Sequence, residues 1–264
     1  MRWEYDLVWL SSRTNCGRVD GSNKKDKLHM KTLSLKKLVI SLSALLVSFS
    51  PYAVAEVIEV YTWKAFPGKG TLMMSNMAEA AAIHTSEGAS VYIYAHNVGS
   101  TQLVDYVLRW DNRGAWGATK DKSRGSEKWV EFWAKTSGDP SGELVSSLSG
   151  QNLDANVKAE DFRGLNTYGV WVWDPAPGKN AEVLQSFATA TNIHQSLGAR
   201  VDSYAEGFGG TGNLHYLLSF KSWSDMATFQ DKLVNDPRWL ELNSSGDPNN
   251  LTLVRSFSGQ TVSN

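Results

Sequence analysis

The sequence predicts an α+β chain built from two tandem βαββαβ repeats, and three observations carry that prediction. The second half matches the first at a fixed offset of 110 residues, with 23 of the 72 positions from Val60 to Glu131 identical and no gap. Trp63 falls on Trp173, Pro67-Gly68-Lys69 on Pro177-Gly178-Lys179, Ile83-His84 on Ile193-His194, Tyr106 on Tyr216 and Trp129 on Trp239. Within each copy, runs rich in Val, Tyr and Trp alternate in the same order with stretches of helical period. A period of this length exceeds the roughly 50 residues of the longest solenoid units, so the chain reads as two fused small domains.

Each element has a local reason. The first strand spans Val57 to Trp63 in one copy and Tyr168 to Trp173 in the other, and Pro-Gly-Lys ends both. A helix over about Thr71 to Thr85 follows from Met73, Met77, Ala80, Ala81 and His84 at three- and four-residue spacing. Val183, Phe187, Ala190 and His194 carry the same stripe in the second copy, and Gly88 and Gly198 stand at the C-cap position. Strands over Ala89–His96 and Leu103–Trp110 are joined by Gly99-Ser100-Thr101. Their counterparts, Ala199–Ala205 and Leu214–Phe220, flank the glycine-rich stretch Gly207 to Gly212, a hairpin signal and not a phosphate cradle. A helix over Ser222–Asn235 opens on a capping sequence and ends at Asp236-Pro237. Its first-copy counterpart, with Gly114 and Gly117 near its start, is expected to begin late. The last strands are Glu143–Leu148 and Leu251–Phe257, and residues 152–165 form a polar linker between a first repeat of 56–151 and a second of 166–264.

Two N-terminal segments are set apart from this fold. From Met30 the chain reads as a signal peptide over residues 30–55: Lys31, Lys36 and Lys37, an apolar run from Leu38 to Phe49, and Ala53-Val54-Ala55 before Glu56. The apolar run is too short to span a bilayer. Residues 1–29 sit badly in front of an export signal and read as a mis-assigned upstream segment. The expected product is a periplasmic or secreted chain cut near Ala55.

Removing the leader removes Cys16, the one cysteine, so no disulfide, thiol nucleophile or thiolate metal ligand is expected. From Glu56 onward 17 Lys and Arg face 23 Asp and Glu, a difference of −6. A mildly acidic chain without a basic run argues against nucleic acid or anionic lipid as a partner, and no membrane contact is expected after cleavage. No Ser-His-Asp elbow, His-Glu-x-x-His or calcium loop is present.

The order βαββαβ is the ferredoxin-like arrangement, one four-stranded antiparallel sheet covered by helices on one face. Several strands are apolar on both faces (Val91 and Ile93 alternate with Tyr92 and Tyr94), so a second layer must cover the bare face. The strand order, the duplication, and the segments Ser222-Trp223-Ser224-Asp225-Met226 and Asp236-Pro237-Arg238-Trp239 together resemble the dimeric α/β-barrel superfamily. The last segment is similar to NIPSNAP-like and antibiotic-biosynthesis-monooxygenase-like members. The resemblance covers about 200 residues and implies two ferredoxin-like repeats closing into one intramolecular dimeric α/β barrel. For activity it implies a range: cofactor-independent monooxygenases, heme-binding and heme-degrading enzymes, and lactone isomerases. Fold does not choose among these.

Candidate ligand-binding residues follow from chemistry and from asymmetry between the copies. His84 and His194, equivalent and near a helix end, could serve a heme iron or act as acid–base groups; a structural role at the helix terminus predicts the same duplication. His96 and His215 occur in one copy each, opposite Glu206 and Asp105, as a single site in a duplicated barrel would require. Asp105 and Arg109 share strand parity, hence one sheet face: a polar pair inside a barrel, or an edge ion pair. Trp110 and Trp171 lack matching tryptophans and are expected to line a pocket. The function expected is binding of a small apolar or aromatic molecule, with a monooxygenase-type enzyme or a heme protein using His84 or His194 as alternatives. No metal site and no obligatory cofactor are expected, heme being the one cofactor in view. Two copies supply an internal pseudo-dimer, so a monomer or a homodimer is expected.

Overall fold

A computed structural model describes residues 55–100 and 102–262. The leader and the segment before it lie outside the described residues, apart from Ala55. The first repeat runs β1 (Val57–Ala65), α1 (Gly70–Glu87), β2 (Ser90–Val98), β3 (Leu103–Trp110), α2 (Arg113–Arg124), α3 (Glu127–Ser137) and β4 (Gly142–Asn152). The second runs β5 (Thr167–Pro175), α4 (Asn180–Ser196), β6 (Arg200–Glu206), β7 (Leu214–Phe220), α5 (Trp223–Leu233), α6 (Pro237–Ser245) and β8 (Leu251–Thr261).

The eight strands close into one barrel in the order β1-β3-β2-β8-β5-β7-β6-β4, every pairing antiparallel. Two seams join the repeats. Gly150 of β4 lies opposite Glu206 of β6, and Gly259 of β8 lies opposite His96 of β2. With neighbours alternating in sense, β1 and β5 run the same way on opposite walls, so the pseudo-twofold axis runs along the lumen. Equivalent residues of the two repeats therefore face each other at the same height. This closure covers the apolar second face of each sheet and removes the open edges that each repeat would present alone.

The second helical segment of each repeat is two helices where the sequence suggested one. In the second copy Pro237 cannot continue α5, and Asp236 caps α6 through the Arg238 and Trp239 amides. In the first copy the break falls at Gly125-Ser126, and α2 starts early, not late, because the Asn112 side chain accepts from the Ala115 amide. The helices pack outside the sheet on two separate cores. One gathers Met73, Met77, Ile93, Tyr106, Leu108 and Trp110; the other gathers Val183, Phe187, Tyr216, Leu218, Phe220, Met226 and Phe229.

The linker is more than polar. It carries a short 3-10 turn at Ala159–Phe162, and Val157 and Phe162 are buried against Ile58 and Tyr204. Tyr92 donates to the Ala159 carbonyl at 2.7 Å, and the Ala159 amide donates to Asp111 at 2.9 Å. These contacts seat the linker across the barrel end where β3 finishes and β1 begins.

Candidate functional site

Side-chain alternation sends Asp105, Val107 and Arg109 of β3 into the lumen, and Tyr106, Leu108 and Trp110 toward the helices. On β7 the same rule turns His215, Leu217 and Ser219 inward. Three of the residues singled out from sequence, Asp105, Arg109 and His215, thus line one cavity of about 90 Å³.

Asp105 and Arg109 share the lumen without pairing with each other. Asp105 accepts from Thr62 at 2.6 Å and meets His96 Nε2 at 2.8 Å. The His96 ring lies 4.5 Å from Phe257, nearly parallel to it, and its Nδ1 is buried without a hydrogen-bond partner among the described residues. On the opposite wall His215 Nε2 meets Glu206 at 2.7 Å. Glu206 also accepts from the Thr211 and Asn213 amides at 2.8 and 3.0 Å. The hydrogen bond from His215, with those amides, outweighs burial and holds the Glu206 carboxyl down at about 2. Because His96 is equivalent to Glu206 and Asp105 to His215, each repeat builds the same imidazole–carboxylate contact with the partners exchanged. Tyr168 lines the cavity too, its hydroxyl buried and without a partner among the described residues.

Arg109 belongs to a network at the linker end. It donates to Glu56 at 2.7 Å and to Tyr204 at 2.8 Å, while Tyr204 and Asn152 donate to the other Glu56 oxygen at 2.9 and 3.0 Å. The Phe162 ring lies 3.5 Å from the guanidinium carbon. Burial disfavours the charge on Arg109, but Tyr204 and Glu56 outweigh it and raise the pKa further. The second repeat has no such network, since Ser219 stands at the position of Arg109 and Asn166 at that of Glu56.

The other candidates lie outside the lumen. His84 Nδ1 is 2.9 Å from the Tyr106 hydroxyl and His194 Nδ1 is 2.9 Å from that of Tyr216. Trp129 and Trp239 cover the two imidazoles at 4.5 and 4.7 Å. Burial lowers the pKa of each to about 4, Lys120 adding to the effect at His84, so both are neutral near pH 7. Trp110 is 1% exposed and donates to Thr119 at 3.0 Å. Trp171 packs on the helix-side core of the second repeat over Gly169. Neither tryptophan borders the lumen.

Heme, which the resemblance brings into view, does not fit these residues. The His194 Nε2 is buried beneath the protein's own side chains, and Phe229, Trp239 and Tyr216 surround the ring. His84 is half-buried, with its Nδ1 taken up by the Tyr106 hydroxyl and Trp129 packed against the ring. Among the described residues no cluster of three His, Cys, Asp or Glu side chains could hold a metal ion, and no helix is long and apolar enough to cross a membrane.

A single chain that folds two ferredoxin-like units into one closed eight-stranded barrel has the dimeric α/β-barrel fold. The NIPSNAP family model matches residues 168–257, most of the second repeat. Three solved structures share the fold. A candidate monooxygenase from Fusobacterium nucleatum subsp. nucleatum superposes with a TM-score of 0.55 at 11% identity, covering 80% of this chain and 94% of its own. A candidate chlorite dismutase gives 0.50 at 13% identity, covering 80% and 96%. An anthrone oxidase-like protein gives 0.50 at 14%, covering 81% and 94%. No curated protein matches the chain significantly.

Proposed function

We propose that the protein is an exported small-molecule-binding barrel whose lumen takes a small polar molecule, or the polar head of a larger one. The two His–carboxylate pairs exchange protons with it. The exchanged pairs carry this reading. Where the repeats need the same packing they keep the same residues, as in His84–Tyr106–Trp129 and His194–Tyr216–Trp239. In the lumen they differ in residue yet keep a proton-sharing contact on each wall of a common cavity. An imidazole in contact with a carboxylate sets a donor and an acceptor side by side, the arrangement that proton transfer to a bound molecule needs.

The size of the cavity sets the ligand. At about 90 Å³ it offers the volume of roughly three waters, below the ~150 Å³ void that admits benzene. An aromatic body therefore stays outside while a polar head reaches His215, Tyr168 and Asp105. The exposed Arg255 borders this cavity beside Phe257 and favours an anionic or hydrogen-bond-accepting head. A monooxygenase-type reaction has fold likeness behind it and no residue of its own here.

Imidazole nitrogen NMR tests the reading, with acetate, acetamide and acetone as probes. The expected result is a saturable shift of His96 and His215 while His84 and His194 stay put. Probes that move none of the four, or move only the outer pair, would exclude the lumen as the site. Intact mass of the chain exported from its native host tests localisation: a start at Glu56 is expected, and a retained leader would contradict export.

A further inference from the structure

An open cleft of about 460 Å³ lies where the ends of β6 and β7 meet α4 and α5, and the equivalent place in the first repeat holds a set of hydrogen-bonded side chains. At the 110-residue offset Trp110, Thr119, Glu87 and Lys122 correspond to Phe220, Phe229, Leu197 and Lys232. In the first repeat these four make a hydrogen-bonded plug. Trp110 donates to Thr119 at 3.0 Å, the Thr119 hydroxyl reaches the Glu87 carbonyl at 3.4 Å, and Lys122 donates to that carbonyl at 3.3 Å. The second repeat has Phe220 and Phe229 where Trp110 and Thr119 stand, so the indole N–H and the hydroxyl that bridge to the backbone carbonyl are both absent, and Phe220 is smaller than the tryptophan it answers. The plug cannot form, and the space stays open.

The rim is charged. Lys221 stands where Asp111 does in the first repeat, and Lys221 and Lys232 make no side-chain hydrogen bond or ion pair among the described residues. Arg200 is held by Asp202 at 2.9 Å and lies 3.8 Å from Asp161, so its charge is matched. The remaining acid is Asp225, which accepts from the Ser222 hydroxyl at 2.7 Å. Two unpaired lysines against one carboxylate leave the cleft locally positive in a domain that is acidic as a whole. Its floor is Phe220, Phe229 and Leu197.

We infer that this cleft is a second ligand site, separate from the lumen, that binds an organic anion with an apolar body, such as an aromatic or aliphatic carboxylate. The body lies on Phe220, Phe229 and Leu197, and the anionic head sits between Lys221 and Lys232. The volume falls within the ~300–1,000 Å³ usual for small-molecule sites, and lysine serves as a point charge for such a head.

Two fluorescent probes test this on the full chain: the aromatic sulfonate 1-anilinonaphthalene-8-sulfonate, and neutral N-phenyl-1-naphthylamine, which has the same body without the charge. The sulfonate is expected to saturate at one site per chain. Reversing both exposed lysines (Lys221→Glu with Lys232→Glu) should weaken it about tenfold and leave the neutral probe unchanged, since exposed rim charges act modestly on a bound anion. Phe220→Trp, which restores the aromatic plug of the first repeat, should weaken both probes. The inference is overturned if the sulfonate does not saturate or if the lysine variant leaves it unmoved. It is overturned equally if the lysine variant weakens both probes alike. Because the lysines are exposed, that variant reads binding even if Phe220→Trp misfolds.

Discussion

Acidification from pH 7 to pH 5 should destabilise this barrel through its two helix-side histidines. Burial holds His84 and His194 at about 4 in the fold, against 6.5 for the unconstrained side chain. The unfolded chain therefore takes up protons as pH falls below 6.5, while the fold refuses them until about 4. With folded values depressed, the stabilisation is complete above 6.5 and is lost as pH falls through that window. Between pH 7 and pH 5 the difference in proton uptake amounts to at most about 2 kcal/mol per histidine, so up to about 4 kcal/mol for the pair. His84 is the less buried of the two and contributes the smaller share. Urea unfolding followed by tryptophan fluorescence at pH 7 and pH 5 measures the loss. A variant with His84→Gln and His194→Gln should be weaker at pH 7 and lose far less on acidification. Equal losses in the variant and the parent, or a parent whose midpoint does not move, would refute the reasoning.

Other predictions concern the lumen and the hairpins. Arg109→Met strands Glu56, which is fully buried, with only Tyr204 and Asn152 as partners; the cost should be about 3–5 kcal/mol in thermal or urea unfolding. Adding Glu56→Leu should recover much of that loss, and a single-variant loss below ~1 kcal/mol would mean that the pair is not desolvated as described. Gly99 and Gly209 have φ of 86° and 80°, and a Cβ at either would strike the backbone of the neighbouring seam strand, at Ser256 and Ser147. Alanine at each should cost more than the ~1 kcal/mol expected at Gly68, which has φ of 76° but open space around it. Equal costs at the three positions would show that conformation alone, without crowding, governs the hairpins.

Periodicity and repeat comparison made much of the fold legible. Strand alternation located β3 and β7 to the residue, because each is apolar on one face and mixed on the other between clear turns. The split of the second helix was harder, since it depends on Asp236 and Ser126 as new N-caps inside one apolar stripe. Parity correctly put Asp105 and Arg109 on one face, but their partners lay elsewhere. Glu56 follows a cleavage motif and reads as a boundary, while Tyr204 and Thr62 look like ordinary strand residues until the register is known. The exchange of His96–Asp105 for Glu206–His215 is visible at the offset, though only the barrel shows that each pair touches. Trp110 carried the opposite lesson. An unmatched tryptophan suggested a pocket, whereas its bulk closes one, and the opening lies in the other repeat, where phenylalanine stands.

The linker that ties the repeats together also governs traffic. Phe162 and Val157 pack on Ile58 and Tyr204 at one end of the lumen, and His215 and Arg255 border the cavity elsewhere. The linker side chains narrow the lumen at their end. For the binding function proposed above, this means that a guest backs out by the door it entered, so a departing guest blocks an arriving one and exchange is one at a time. On that reading long guests insert only head first, and selectivity falls to what the far wall, which includes Arg109, accepts at the tip.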